Sequence, residues 1–225
     1  MKPELIETML AGADGRIALW DLHMSRLQRS AATLGYPCPP AGALLDAVSS
    51  AIDDLDSRTG NLDQSLPLMN YRVRLLLDSL GVVEVTAHTL APLTSPQKLA
   101  ISGPCLQSDQ VWLGHKTTHR PWYQRATEWL QAHPDYFDVL FINERGEVCE
   151  GTRSNVYVQI NGQWLTPALH CGVLPGVWRE QLLSEGQVRE EEIDQSLIRS
   201  DTRIRLSNGL RGWFDVVPDL NCVVD

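Results

Sequence analysis

The chain has 225 residues, 43% hydrophobic and 21% charged, enough to bury a core in one large domain or two small ones. Its 28 acidic residues against 19 lysines and arginines give a net charge of −9, and no basic stripe or basic helix face appears, which excludes nucleic acid as a partner and leaves small anions open. Five scattered cysteines, with no CxxC pair and no Cys/His cluster at metal-ligand spacing, exclude disulfides and metal sites, and no apolar run is long enough for a signal peptide or a membrane span, so a reduced, cytoplasmic protein is expected.

Leu5 to Leu10 and Arg16 to Trp20 read as two strands joined by the Gly12 to Gly15 turn. Asp21 is placed to cap a helix running to about Leu34 and stopping at Gly35. Leu22, Leu27, Ala31 and Leu34 share one face of it, with Arg26 and Arg29 elsewhere. A second helix is predicted over about Ala43 to Leu55, then a polar loop from Ser57 to Pro67. Tyr71 to Leu77 and Val82 to Ala87 form a second hairpin about Asp78 to Gly81; alternation sets Arg72 and Arg74 on one face and Val73 and Leu75 on the other. Ala91 to Pro96 is the expected connection between two lobes, 1–95 and 96–225.

Beyond it, Pro121 opens a helix to about Ala132. Phe137 to Ile142 reads as a strand, Asn143 to Gly146 as a turn into Glu147 to Glu150, and Ser154 to Ile160 as another strand, ended by an Asn161-Gly162 hairpin turn. Leu174-Pro-Gly-Val-Trp178 opens a short helix reaching about Glu185, and short strands with one small helix complete the chain. Strands outnumber helices in the second half, so the fold class is α+β in two lobes.

Four features carry chemistry. The chain has three lysines, Lys2, Lys98 and Lys116, against sixteen arginines, and a lysine amine can be deprotonated to attack an aldehyde where a guanidinium cannot. Glu150 ends one strand where Gly151-Thr152 bend the chain into the next. Gly176 precedes a helix whose free N–H groups suit a phosphate. Arg26, in His23-Met-Ser-Arg-Leu27, offers a bidentate phosphate partner. Taken singly, each is as well explained by a surface lysine, a solvated turn carboxylate, an ordinary glycine turn or an exposed helical arginine.

Together, in this order, the His-x-x-Arg-Leu helix, the Lys-Thr segment, the Glu-Gly-Thr-x-Ser-Asn-Val strand and the Leu-Pro-Gly turn resemble the class IV (branched-chain-type) aminotransferase family of pyridoxal 5'-phosphate enzymes. The resemblance extends to Ser207-Asn-Gly-Leu-Arg-Gly-Trp213. It implies a two-lobed fold with the cofactor between the lobes, in a homodimer. It implies that Lys116 is the Schiff-base lysine, that Glu150 faces the pyridine nitrogen, and that Arg26 with the backbone of Gly176, Val177 and Trp178, and with Ser207 and Asn208, binds the phosphate. Trp178 stands where many members have threonine, which removes a hydroxyl contact but keeps the backbone donors.

Within the family the chain is similar to the lyases that split 4-amino-4-deoxychorismate into 4-aminobenzoate and pyruvate for folate synthesis. Thr8, in Ile6-Glu-Thr-Met9, falls where these lyases resemble one another in having threonine. The resemblance makes Thr8 a catalytic candidate beside Lys116, implies an anionic substrate, and suggests an aminodeoxychorismate synthase partner. Arg72, Arg74, Arg120, Arg153 and Arg211 are the candidates for binding substrate carboxylates. A class IV aminotransferase for branched-chain or D-amino acids is the second reading, and a non-catalytic partner subunit the third.

Overall fold

The computed structural model describes residues 2–59, 70–93 and 96–225. Contacts divide the chain into Met1–Leu93 with Lys116–His119, and Thr94–His115 with Arg120–Asp225. The boundary falls close to the predicted one, but the lysine segment belongs to the first unit, not to the second as expected. The cause is main-chain pairing. Leu5 and Thr117 form an antiparallel bridge, the Ile6 N–H donates to the Lys116 carbonyl at 2.8 Å, and the Thr118 N–H donates to the Glu4 carbonyl at 2.9 Å. Of the predicted connection at 91–96, residues 94 and 95 lie outside the described residues.

In the first unit, β1 (Leu5–Ala11), β2 (Tyr71–Leu77) and β3 (Val83–Thr89) form an antiparallel sheet in that order. Helices α1 (Trp20–Leu34) and α2 (Ala41–Thr59) supply the rest of its core. Alternation works as the sequence suggests: Leu5, Met9, Val73 and Leu75 are buried with Met24, Leu27, Leu44 and Val48. At about 1.5–3 kcal/mol for each large side chain, this burial is what holds the sheet to its helices.

Two local readings change. Residues 16–20 form no strand; only an isolated Ala11–Ile17 bridge forms, and the helix begins at Trp20. Its N-cap is Leu19, in the left-handed region at φ 55°, with no side-chain cap, so Asp21 lies in the first turn rather than capping it. Gly35 ends α1 in the left-handed conformation at φ 68°, as its type requires. The buried face of α1 also differs, for it includes the polar His23, Arg26 and Ser30. Helix α2 runs past the predicted end to Thr59, and the remainder of the 57–67 loop lies outside the described residues.

The second unit contains β4 (Lys98–Ser102), a 3₁₀ turn at Pro121–Tyr123 leading into α3 (Gln124–Ala132), β5 (Tyr136–Ile142), β6 (Val148–Gly151), β7 (Asn155–Ile160) and β8 (Gln163–Pro167). After these come α4 (Val177–Ser184), β9 (Arg189–Glu191), β10 (Ile204–Asn208) and the long β11 (Gly212–Val224). The sheet order is β10-β11-β4-β5-β6-β7-β8-β9, and β10 also pairs with β7, so six strands close into a ring. Strands β5 and β6 are buried on both faces, which is why they read as apolar runs rather than alternations. The two-residue turn between β7 and β8 has Asn161 at φ 50° and Gly162 at φ 80°, the conformation that an Asn-Gly pair favours. Among the described residues no helix is long and apolar enough to cross a membrane.

Candidate active site

The residues singled out from sequence fall into two groups, one in each unit. In the first unit the Leu5–Thr117 bridge sets the half-buried Lys116 across from Ile6. Thr8 follows two residues along the same face of β1, the diagonal spacing that a long side chain can span. Glu7 points to the opposite, helix-covered face and is 1% exposed. Its carboxylate accepts the Arg26 Nε–H at 2.9 Å and the Nη2–H at 2.5 Å, and its Oε2 lies 2.6 Å from His23 Nδ1. Arg26 is therefore a buried partner of Glu7, a contact that the sequence reading lacked because it placed Arg26 off the apolar face.

Burial raises the Glu7 pKa, but the charge of Arg26 and the hydrogen bonds from His23 and Arg26 outweigh it and hold the carboxyl at about 2. For His23, burial leads and the Arg26 and Lys116 charges add to it, so its pKa lies below the ordinary value despite Glu7. A neutral imidazole that gives its Nδ1–H to Glu7 presents Nε2 as an acceptor. That nitrogen is buried without a partner among the described residues.

In the second unit, strand register aligns Glu150 with Asn155, Asn155 with Ser207, and Ser207 with Trp213. Glu150 is 5% exposed; its Oε1 accepts the Tyr123 O–H at 2.7 Å, and its Oε2 accepts the Leu174 N–H at 2.9 Å and an Asn155 Nδ2–H at 3.5 Å. Asn155 also donates to the Leu174 carbonyl at 2.9 Å, which ties the Leu-Pro-Gly turn to the Glu150 strand. A Cβ at Gly176 would sit 1.8 Å from Asn155 Oδ1, so only glycine fits there. Gly176 is the N-cap of α4 and has no side-chain cap, leaving the N–H groups of Val177, Trp178 and Arg179 directed out of the helix end.

The remaining predicted residues divide. The Ser207 hydroxyl is buried, 2.8 Å from the Tyr157 hydroxyl. Asn208 Oδ1 accepts the Leu210 and Arg211 N–H groups at 3.1 and 2.9 Å, closing the turn between β10 and β11. Trp178 packs its indole against Gly212 of that turn, where an added Cβ would be 3.5 Å away. Among the arginines, Arg120 donates to the Thr152 carbonyl and lies 4.7 Å over the Tyr123 ring, and Arg153 donates Nε–H to the Phe137 carbonyl at 3.0 Å. Both brace the bend after Glu150. Burial, with the Arg153 charge acting in the same direction, lowers the pKa of Arg211. Arg72 is exposed and Arg74 half-buried.

Three residues escaped the sequence reading. Tyr123 gave no signal beyond its place in a helical stretch. Asn155 lay within the quoted motif without a role. Asp138 is fully buried and organises the bend: its carboxylate accepts the Thr152 N–H at 2.7 Å, the Thr152 O–H at 2.6 Å and the Arg153 N–H at 3.2 Å. A Cβ at Gly151 would come within 2.3 Å of it. A charged residue inside the apolar 137–142 run was the available clue.

The donors of the second unit fit the phosphate and the ring nitrogen of pyridoxal phosphate. The end of α4, with no side-chain cap on its first N–H groups, suits a dianionic phosphate. A buried carboxylate held on both oxygens, in the same unit, suits a protonated ring nitrogen.

Comparison with known proteins agrees. Residues 4–217 match the family described as amino-transferase class IV. The chain is 30% identical over 206 residues to a Schizosaccharomyces pombe protein assigned as an aminodeoxychorismate lyase, covering 91% of this chain and 81% of that one. Among solved structures, a Mesorhizobium loti protein assigned as an amino-acid aminotransferase superposes with a TM-score of 0.79 at 32% identity, over 97% of this chain and 100% of that one. A Legionella pneumophila protein assigned as a 4-amino-4-deoxychorismate lyase gives a TM-score of 0.76 at 22% identity, over 99% and 85%, a likeness of fold.

Proposed function

This chain belongs to the class IV aminotransferase family and works with pyridoxal 5'-phosphate, and from that membership we propose that it is a lyase converting 4-amino-4-deoxychorismate to 4-aminobenzoate and pyruvate. The observation that carries the reading is Thr8 on the face of β1 that Lys116 borders, at the position where lyases of this family resemble one another in having threonine. The likeness to the S. pombe protein over 91% of this chain and 81% of that one supports it.

Bound pyridoxal phosphate supplies an electron sink for the pair left behind when a carbon loses its proton. The residues have the following roles in this reading. The backbone donors at the start of α4, with Ser207, hold the phosphate. Glu150 keeps positive charge at the ring nitrogen. Lys116 takes the proton from the substrate carbon that bears the amine, the bond from the neighbouring ring carbon to the enolpyruvyl oxygen breaks, and the enolate takes a proton to become pyruvate. Substrate and products balance with no further reactant. Thr8 positions the Lys116 base or assists the leaving group. Aromatisation favours the products, so orientation and one placed base are the main demands.

A second reading, transamination, is favoured by the likeness to the M. loti protein. The two separate cleanly. Purified protein given 4-amino-4-deoxychorismate is expected to release equal amounts of 4-aminobenzoate and pyruvate. If it instead forms glutamate from an amino acid and 2-oxoglutarate and leaves that substrate intact, the lyase reading is wrong.

A further inference from the structure

We propose that Tyr123 is a positioning residue that keeps Glu150 anionic, and so sets how firmly the cofactor's ring nitrogen holds its proton. The inference rests on the reading of Glu150 as the ring-nitrogen partner and adds to it a residue from outside the family motifs quoted above.

The geometry leaves the Tyr123 hydroxyl one task. The side chain is 2% exposed, and its O–H donates to Glu150 Oε1 at 2.7 Å. The ring is held on several sides: Phe141 meets it edge-on at 4.8 Å, Trp122 at 5.8 Å, and the Arg120 guanidinium lies 4.7 Å over it. Arg120 itself donates to the Thr152 carbonyl, in the bend that follows Glu150. The backbone is fixed as well, because Tyr123 closes a 3₁₀ turn opened by Pro121 and its carbonyl accepts the Thr127 hydroxyl at 2.7 Å. A ring so confined cannot swing its hydroxyl elsewhere.

Burial first, then the Glu150 carboxylate, hold the phenol well above its ordinary pKa against the opposing charge of Arg120. It is a donor at every working pH. A hydrogen bond donated to a carboxylate stabilises the charged form. With Tyr123 on Oε1 and Leu174 on Oε2, the proton shared between Glu150 and a ring nitrogen is favoured on the nitrogen. Removing the phenol O–H takes away a charge-assisted bond, which changes the distribution of that proton by about tenfold or more.

The test is nitrogen NMR of wild type, Tyr123→Phe and Glu150→Gln, each reconstituted with pyridoxal phosphate carrying 15N in the ring, at matched cofactor stoichiometry and pH. Wild type is expected at the protonated shift and Glu150→Gln at the unprotonated one. Tyr123→Phe is expected to move measurably toward Glu150→Gln while keeping its cofactor. A Glu150→Gln spectrum identical to wild type would overturn the role of Glu150 itself. A moved Glu150→Gln resonance with an unmoved Tyr123→Phe resonance would overturn the role of Tyr123 alone. Should Tyr123→Phe not fold, Tyr123→3,5-difluorotyrosine keeps the shape and strengthens the donor. It must hold or deepen the protonated shift, and movement toward the unprotonated value overturns the proposal.

Discussion

Exchanging Glu7 for glutamine is the sharpest test of how the first unit is held together. The Glu7 carboxylate receives two N–H groups from Arg26, which is 4% exposed, and lies 2.6 Å from His23 Nδ1. Breaking a buried ion pair by removing one member costs about 3–5 kcal/mol, because the other charge remains out of water. For a chain of this length that corresponds to a fall in Tm of roughly 10 °C. The pH dependence gives a second handle. With its carboxyl held at about 2 instead of 4.5, Glu7 contributes stability that is fully present above 4.5 and lost as pH falls toward 2; the integrated amount is about 3 kcal/mol. His23, with its pKa lowered, likewise contributes stability above its ordinary value of 6.5 and loses it below. Urea unfolding from pH 7 to pH 3 should therefore show Glu7→Gln starting lower and declining less steeply below pH 4.5. Pairing it with Arg26→Met should restore much of the loss. A single-variant loss under about 1 kcal/mol, or an acid limb parallel to wild type, would refute the reasoning.

Other expected outcomes follow from named contacts. Gly176→Ala drives a Cβ into Asn155 Oδ1 and displaces the carboxamide that ties the turn to Glu150, so cofactor affinity measured by fluorescence quenching should fall at least about tenfold. Asp138→Ala removes the acceptor of the Thr152 and Arg153 donors and should cost about 2–4 kcal/mol by urea unfolding. Lys116→Ala should lose the borohydride-fixed cofactor adduct seen by mass spectrometry in wild type, and retained labelling would remove Lys116 from its role.

What the sequence disclosed was local. Tyr71 to Leu77 alternates because one face is buried, and Asn161-Gly162 turns because both residues adopt positive φ. Gly35 and Gly176 sit where their missing Cβ is needed, one for a left-handed stop and the other for a close approach to Asn155. What escaped depended on distant partners. Residues 16–20 have strand composition, but Leu19 adopts φ 55° and the helix starts at once. Arg26 falls off the apolar face by periodicity and suggests a phosphate partner, because the carboxylate it pairs with lies 19 positions away on β1. Lys116 joins the first unit through backbone bonds to a strand more than a hundred residues earlier, which no periodicity announces.

Among the described residues three carboxylates, Glu7, Asp138 and Glu150, are buried, and their contacts differ. Glu7 is matched by the charge of Arg26, so its field is largely cancelled within the core. Asp138 accepts from the Thr152 and Ser154 hydroxyls and from the backbone N–H groups of Val139, Thr152 and Arg153, and most of its bonds shape the bend at 152–154. Glu150 accepts from a phenol, a backbone N–H and a carboxamide. A hydrogen bond from a neutral donor stabilises the charged form of a carboxylate. In the proposed reading Glu150 is the carboxylate that faces the ring nitrogen, and the Tyr123 hydroxyl on its Oε1 is the contact through which that role is tested.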